Sequence, residues 1–326
     1  MIIPQFKYFI AHFWGYFWKI PPFSFLYRTY YSLRLSWPVW FYVLNRNARE
    51  CYRKNLPKLD DLQERVAGEL ARTGISVLHF DDLFPGMSFS IFQENLQRTM
   101  REPENQKRIE EQKKGGVAAT KKYYLVELWQ KPFYFDPDNP FMRLATNERI
   151  LGVIGRYLNM ACCLSYMNLW YTVPMEKTAN YSQRWHRDPD DRRLVKMFLY
   201  LTDVHEGAGP FHYVPGSHDP GPYRRVISSK PPYSTYPKEG EVEKLFSKDK
   251  IRTCTGRAGT IIFCDTKGLH KGGHATKDPR ILFNAVYLTE GAIPAEKKKL
   301  NYYLNGFKAR AGSLGEHALK WAGKKS

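Results

Sequence analysis

The stretch QRWHRD, residues 183–188, sets His186 and Asp188 two residues apart. Side chains at positions i and i+2 of an extended strand project to the same side, so these two can bind one metal ion. An imidazole and a carboxylate together suit Fe(II), and a facial site needs one further imidazole. The best candidate is His270 in GLHKGG, residues 268–273, which follows a strand-like run that ends in a turn. We therefore predict that His186, Asp188 and His270 are the metal ligands and form the catalytic centre.

An arginine follows the second predicted histidine ligand after ten residues. Arg280 opens the apolar run ILFNAVY, residues 281–287. Its planar guanidinium can hold the distal carboxylate of 2-oxoglutarate in a bidentate pair. The other end of the keto acid would chelate the iron and leave one coordination position for O2. The order His-x-Asp, His and Arg thus predicts Fe(II), 2-oxoglutarate and O2 as the reacting partners.

A single His-x-Asp pair is weak evidence, because His79-Phe80-Asp81 has the same spacing. That pair stands at the exit of a predicted strand and has no downstream His and Arg of its own, so we interpret it as structural. Only the full order of four residues among strands makes the signal specific.

Short apolar runs separated by Gly, Pro and Asp surround the motif, which is typical of β-strands. We predict helices over 60–72, 87–101 and 147–158, and strands over 75–80, 163–173, 194–201, 211–214, 260–264 and 281–288. The stretch 102–122 is charged and contains two adjacent glycines, which predicts a mobile surface loop. The fold class is therefore α+β, mainly β: a double-stranded β-helix (a cupin-like jelly roll) with helices packed on one side.

The motif residues resemble the phytanoyl-CoA dioxygenase family over roughly residues 60–290. The resemblance lies in WHRD (185–188), YLTD (200–203), GPFHYVPGSH (209–218), His270 and Arg280. It implies a double-stranded β-helix, Fe(II) and 2-oxoglutarate, and hydroxylation with release of succinate and CO2. Related halogenases lack the carboxylate ligand, so the presence of Asp188 points to hydroxylation or another oxidation and not to halogenation.

Further residues are expected to bind the cosubstrate or line the pocket. The family resemblance implies a small polar or Asn residue between His270 and Arg280. The loop there offers His274 and Thr276, and Thr276 is the cofactor-binding candidate. Lys196 could bind 2-oxoglutarate or substrate, or could be exposed, and Trp185 is a further cofactor-binding candidate. Candidates for the pocket wall, each of which could equally be core, are Asn168, Trp170, Tyr171, Gln183 and Trp185. His218 is not expected to bind the metal.

The chain carries a large positive charge. Its 326 residues include 50 Lys+Arg and 32 Asp+Glu, a net charge of +18. Such a charge predicts an anionic partner, which could be a small-molecule or lipid-linked substrate or an anionic membrane surface. No helix-turn-helix, zinc-finger or RNP motif is present, so we expect no nucleic acid partner. The alternative function is a non-catalytic jelly-roll module that binds an anionic partner; a stoichiometric iron measurement separates the two.

The first 58 residues differ from the rest in composition. They hold 18 aromatic and nine basic residues but one acidic residue. Their apolar runs are too short to span a bilayer, so we expect either an extra layer on the core or association with a membrane surface. The domains predicted are thus 1–58, an oxygenase domain over 59–295 and a basic C-terminal tail over 296–326. The five cysteines, an odd number, predict reduced thiols and a cytoplasmic protein, peripheral on the cytoplasmic membrane face if the segment binds lipid.

Overall fold

The larger of two facing sheets has six antiparallel strands. The structure, a computed structural model, describes residues 23–114, 122, 124–129, 133–176, 179–293 and 302–324. In spatial order the six strands are β1 (Ile75–His79), β8 (Thr260–Cys264), β5 (Val195–Tyr200), β10 (Arg280–Leu288), β4 (Cys163–Thr172) and β2 (Leu125–Glu127).

The smaller sheet lies against the inner face of the larger one. Its three antiparallel strands are β7 (Arg252–Cys254), β6 (Phe211–Tyr213) and β9 (His270–Lys271). Side chains from both sheets form one buried cluster: Phe198, Tyr200, Ile262 and Leu282 from the larger sheet, and Phe211, Tyr213 and Cys254 from the smaller. Two antiparallel sheets that share a core in this way are a jelly roll. The predicted fold class is confirmed.

Strand β10 explains why helices cover the outer face of the larger sheet. All nine of its residues are buried, and alternate side chains point to opposite faces. Phe283, Ala285 and Tyr287 pack into the main core with Ile150 and Val153 of the helix Glu148–Leu158. The outer face is therefore apolar, and the predicted placement of helices on one side holds.

The three helices predicted from periodicity occur at nearly the predicted bounds, as Asp61–Thr73, Ser90–Arg101 and Glu148–Leu158. The Asp60 side chain accepts a hydrogen bond from the Gln63 amide (2.9 Å), and the Gln63 side-chain oxygen accepts one from the Asp60 amide (3.1 Å), so the first helix begins with a capping box. Gly74 ends it with a φ of +81°, a left-handed conformation that glycine adopts readily. The remaining helices are Phe23–Arg34, Arg46–Lys54, Phe80–Leu83, Pro103–Lys113, Pro140–Ala145, Glu241–Leu245 and Leu314–Ala318.

The prediction of a loop over 102–122 is wrong for its first half. Pro103–Lys113 is a helix, and Pro103 stands in its first turn, where a missing amide hydrogen costs nothing. Ile109 and Asn105 are buried, and Arg108 donates to the backbone carbonyl of Glu127 in β2 (2.7 Å). One apolar residue per three turns was too weak a periodic signal for a sequence-based prediction. Residues 115–121 lie outside the described residues.

The described part of the N-terminal segment contributes to the main core. Trp40, in a π-helical turn over Val39–Leu44, is fully buried and donates its indole N–H to Asp191 (2.7 Å). Tyr31, Leu35 and Tyr52 are buried in the same core. At least 31–52 thus form the extra layer that was one of the two alternatives. Residues 1–22 lie outside the described residues.

The outer side of this layer is apolar and exposed. The exposed large apolar side chains here are Phe25, Leu26, Tyr30, Leu33, Tyr42, Val43 and Leu56. None of the described helices has both the length and the apolar character needed to cross a membrane.

The C-terminal tail also packs on the domain. β11 (Tyr302–Leu304) runs parallel to β3 (Phe133–Phe135) and to β12 (Gly323–Lys324). Tyr302, Leu314 and Ala318 are buried in the main core. The basic run 297–299 lies outside the described residues.

We expect Trp40→Ala to lower the free energy of unfolding by about 3–5 kcal/mol, because it empties a buried site and leaves Asp191 without its indole donor. Tyr42→Ala is the matched control, since Tyr42 is two residues away and 57% exposed. It should change stability by about 0.5 kcal/mol or less. Urea denaturation of both variants measures this, and equal small losses would contradict the packing of this segment.

Candidate functional site

The predicted metal ligands lie on two backbone segments that pair with each other. His186 and His270 form an antiparallel bridge in which each backbone amide donates to the other residue's carbonyl (2.9 and 3.0 Å). The Asp188 amide donates to the Thr266 carbonyl (3.0 Å), which continues the pairing. The two histidines therefore sit side by side, with ring centroids 4.1 Å apart.

The three ligand atoms converge on one point. His186 Nε2 lies 3.8 Å from one oxygen of Asp188, and His270 Nε2 lies 3.5 Å from the other. One ligand atom from each side chain lies within 4.8 Å of the other two, and all three residues are buried. Within the described ranges, no other group of three such side chains comes this close.

Backbone carbonyls select the ring nitrogen that faces the metal position. Nδ1 of His186 lies 2.8 Å from the Arg184 carbonyl, and Nδ1 of His270 lies 2.9 Å from the Gly268 carbonyl. A carbonyl only accepts, so each Nδ1 carries the proton and each Nε2 keeps its lone pair toward Asp188. Such outer hydrogen bonds are what metal-binding histidines require.

The charges of the site match metal binding. Burial lowers the pKa of both histidines, most strongly for His270, which keeps them neutral and able to bind a metal. Burial is the largest single influence on Asp188 and opposes its ionisation, but the Lys196 ammonium and the two histidines together outweigh it and hold the pKa of Asp188 well below its usual range. The Lys196 Nζ lies 2.6 Å from one Asp188 oxygen.

Arg280 lines the same cavity as the metal ligands, and one of its side-chain N–H groups has no hydrogen-bond partner. It is buried, and one terminal nitrogen donates to the Gly209 carbonyl. Its Nε has no hydrogen-bond partner, and no carboxylate of the described residues pairs with it. A buried guanidinium that has no carboxylate partner favours the binding of an anionic ligand.

The cavity that holds these groups has a volume of about 780 Å³. Its polar lining includes Tyr124, Glu127, Asn168, Ser182, Gln183, Asp190, Lys196 and Asn284. Its apolar and aromatic lining includes Tyr166, Trp170, Phe198, Phe211, Tyr233, Tyr236 and Leu282. A space of this size accommodates a five-carbon keto acid together with a small organic substrate.

Of the predicted pocket residues, Lys196, Asn168, Trp170 and Gln183 line this cavity, whereas Tyr171, Trp185 and Thr276 do not. Tyr171 points to the helix side, as alternation requires. Trp185 donates to Glu243 (2.7 Å) on the far side of the His186 strand. The Thr276 side chain is exposed, and its amide donates to the Gly207 carbonyl (2.9 Å). The structure thus gives no support to Trp185 or Thr276 as a cosubstrate contact.

The other histidines weighed from sequence are structural. The His79 ring accepts from the Asp81 amide (3.3 Å) and caps the helix Phe80–Leu83. His218 is buried beside the Ala71 carbonyl (3.2 Å), away from the three clustered ligands.

Sequence reasoning missed three pocket residues. Tyr236 stacks on the His186 ring, with centroids 5.4 Å apart and an interplanar angle of 14°. It comes from a loop that no local signal connects with the site. Glu127 accepts hydrogen bonds from Trp170 (3.1 Å) and Asn168. Asn284 could have been found, because it is a polar residue in the apolar run of β10.

A jelly roll with two histidines and a carboxylate clustered inside it defines the class of non-haem iron oxygenases. Residues 90–282, more than half of the chain, match the family Phytanoyl-CoA dioxygenase (PhyH). The chain belongs to this family.

A curated relative and several solved structures are similar to the chain. Ectoine dioxygenase from Halomonas elongata is 28% identical over 163 residues, 45% of this chain and 48% of that protein. The chain thus spans about half the length of this relative.

Among solved structures, the epimerase SnoN in complex with Fe3+, alpha ketoglutarate and nogalamycin RO is 18% identical, with a TM-score of 0.48 over 76% of this chain and 92% of that one. EctD from S. alaskensis with 2-oxoglutarate and 5-hydroxyectoine is 22% identical, with a TM-score of 0.46 over 72% and 79%.

We expect alanine at His186, Asp188 or His270 to abolish stoichiometric Fe(II) binding, because each removes one of three convergent ligands. His79→Ala is the matched control and should keep its iron. Iron content of anaerobically purified protein measures the effect. Loss of iron in His79→Ala together with retention in His270→Ala would refute the assignment.

Proposed function

We propose that the protein is a hydroxylase in which His186, Asp188 and His270 hold Fe(II) and Arg280 holds the distal carboxylate of 2-oxoglutarate. The observation that carries the proposal is the convergence of three buried ligand atoms in one cavity with a buried guanidinium whose Nε has no partner. Iron with 2-oxoglutarate and O2 supplies the oxidation of a substrate C–H bond, with release of succinate and CO2.

The chain's own residues prepare the site for this chemistry. The carbonyls of Arg184 and Gly268 fix the histidine tautomers, so the rings need no reorientation when a metal enters. Lys196 neutralises Asp188 and holds one of its oxygens. This contact differs from the predicted one with 2-oxoglutarate or substrate, and it makes Lys196 a positioning residue.

Arg280→Leu should weaken 2-oxoglutarate binding by roughly 2–4 kcal/mol, because it removes a charge-assisted pair, while Fe(II) stays bound. The matched control is Arg252→Leu, since Arg252 is an exposed arginine on β7. Titration of the anaerobic Fe(II) protein with 2-oxoglutarate, followed by metal-to-ligand absorption, measures the affinity. An unchanged affinity in Arg280→Leu would place the anchor elsewhere.

For the substrate, we propose an amphiphilic, lipid-type molecule that reaches the cavity from an anionic membrane surface. Tyr27 of the helix Phe23–Arg34 contacts Tyr233 of the cavity rim, with ring centroids 6.4 Å apart. The exposed apolar side chains of that helix thus lie beside the entrance. Residues 23–58 hold seven Lys or Arg and one acidic residue, and each cation near an anionic leaflet contributes about 1 kcal/mol. We accordingly propose that the protein lies on the cytoplasmic membrane face.

The triple variant Phe25→Ser, Leu26→Ser, Leu33→Ser should bind liposomes of phosphatidylserine and phosphatidylcholine at least about tenfold more weakly than the parent chain, because it removes the apolar contact. Met87→Ser with Ile91→Ser is the control, as both side chains are exposed but belong to another part of the surface. Sedimentation of the full chain at low and high salt measures binding. Failure of the parent chain to sediment would rule out the membrane surface.

A further inference from the structure

Asn284 is a buried polar side chain that the fold leaves unsatisfied. It lies in the middle of β10, is 1% exposed and lines the cavity. Neither its Oδ1 nor its Nδ2 has a hydrogen-bond partner. Burying an amide without partners costs free energy that an apolar residue of the same size would avoid. A group from outside the chain that fills the cavity would satisfy both atoms.

The polar residues beside Asn284 are hydrogen-bonded to one another. Across the ladder it stands opposite Asn168 on β4 and Phe198 on β5. Asn168 donates to Glu127, which also accepts from the Trp170 indole (3.1 Å). The Asn168 amide is therefore held in one orientation, and the Glu127 carboxylate adds negative charge to this part of the wall.

The position of Asn284 separates it from the proposed cosubstrate anchor. Arg280 and Asn284 project to the same face of β10 four residues apart, which corresponds to about 13 Å along a strand. A five-carbon diacid held by Arg280 and the metal is shorter than that distance. On the same face, Asn284 is a diagonal neighbour of Lys196, which holds Asp188. Asn284 thus stands diagonal to the lysine that holds Asp188 and four strand residues away from the Arg280 anchor.

We propose that Asn284 is the specificity residue of a substrate subsite that binds a neutral amide, either a primary carboxamide or a lactam. This inference rests on the proposed function. In both groups the C=O and an N–H lie on one edge, so Nδ2 of Asn284 donates to the carbonyl while Oδ1 accepts from the N–H. An ester carbonyl can accept from Nδ2, but an ester has no N–H to donate to Oδ1. A carboxylate would bring its negative charge toward Oδ1 and the nearby Glu127 carboxylate. The aromatic side chains of Tyr166, Trp170 and Phe198 suit the apolar body of the molecule.

The test uses the full chain loaded anaerobically with Fe(II) and 2-oxoglutarate. The probes are octanamide, methyl octanoate and octanoate, which share one apolar chain and differ in the polar group. Calorimetric titration should show octanamide binding about tenfold more tightly than the ester or the acid. Asn284→Leu, of similar size, should bind octanamide about as weakly as the ester, while its 2-oxoglutarate affinity stays within about twofold.

Two further variants keep the test decisive. Asn284→Ser should show the same loss if the leucine variant does not fold. Asn47→Leu, an exposed asparagine on another surface, should keep the preference for octanamide. Equal affinities for the three probes, no binding of any of them, or an unchanged preference in both Asn284 variants would overturn the subsite. A large loss of 2-oxoglutarate affinity in Asn284→Leu would overturn it too, by moving Asn284 to the cosubstrate site. The proposed function is tested by a separate measurement. If it is wrong, the parent chain will not show the Fe(II)–2-oxoglutarate absorption.

Discussion

The pair of backbone hydrogen bonds between His186 and His270 is the constraint on which the site depends. It joins two residues 84 positions apart and fixes both rings on the same side of the narrow sheet. The Arg184 and Gly268 carbonyls that orient the rings are each two residues before a histidine, so the same bridge positions them as well. A slip of one residue in this pairing would turn one ring out of the cavity, because alternate residues face opposite sides. Gly268 belongs to this constraint, since a Cβ there would meet the Tyr213 hydroxyl at 2.0 Å.

The fold also buries several charged side chains between its two sheets. Asp188, Lys196 and Arg280 all sit between the sheets, where an unpaired charge is costly. Asp188 and Lys196 neutralise each other, and two neutral histidines stand beside them. Arg280 donates to the Gly209 carbonyl and pairs with no carboxylate of the described residues, so its positive charge stays unneutralised in the cavity. The cavity is thus suited to a metal cation near Asp188 and to an anion near Arg280, which is the charge distribution that a keto acid chelating a metal requires.

The sequence predicted the centre of the molecule better than its surroundings, for physical reasons. Alternating or continuous apolar runs and capping residues are local signals, so the strands around the motif and the helix capped by Asp60 appear near their predicted bounds. The helix Pro103–Lys113 has few apolar residues and is stabilised by distant contacts such as Arg108 with the Glu127 carbonyl, which local patterns do not show. The aromatic composition of residues 31–52 fits a core layer and a membrane surface equally well, and only the partner of Trp40, 151 positions away, distinguishes them. Tyr236 likewise reaches His186 from a loop whose path is set by the whole fold.

Strand β10 shows how one alternating pattern can serve stability and specificity at once. Its outward residues Phe283, Ala285 and Tyr287 join the main core, so changes there would act on folding. Its inward residues begin with Arg280, continue with the apolar Leu282 and reach Asn284, so a charged anchor and a neutral amide lie on one wall with an apolar spacer between them. Because the strand is pinned on both sides by β4 and β5, the spacing between the two polar groups cannot adjust to the ligand. The distance between cosubstrate and substrate positions is therefore a property of strand geometry, and the identity of the residue at position 284 can change without altering it.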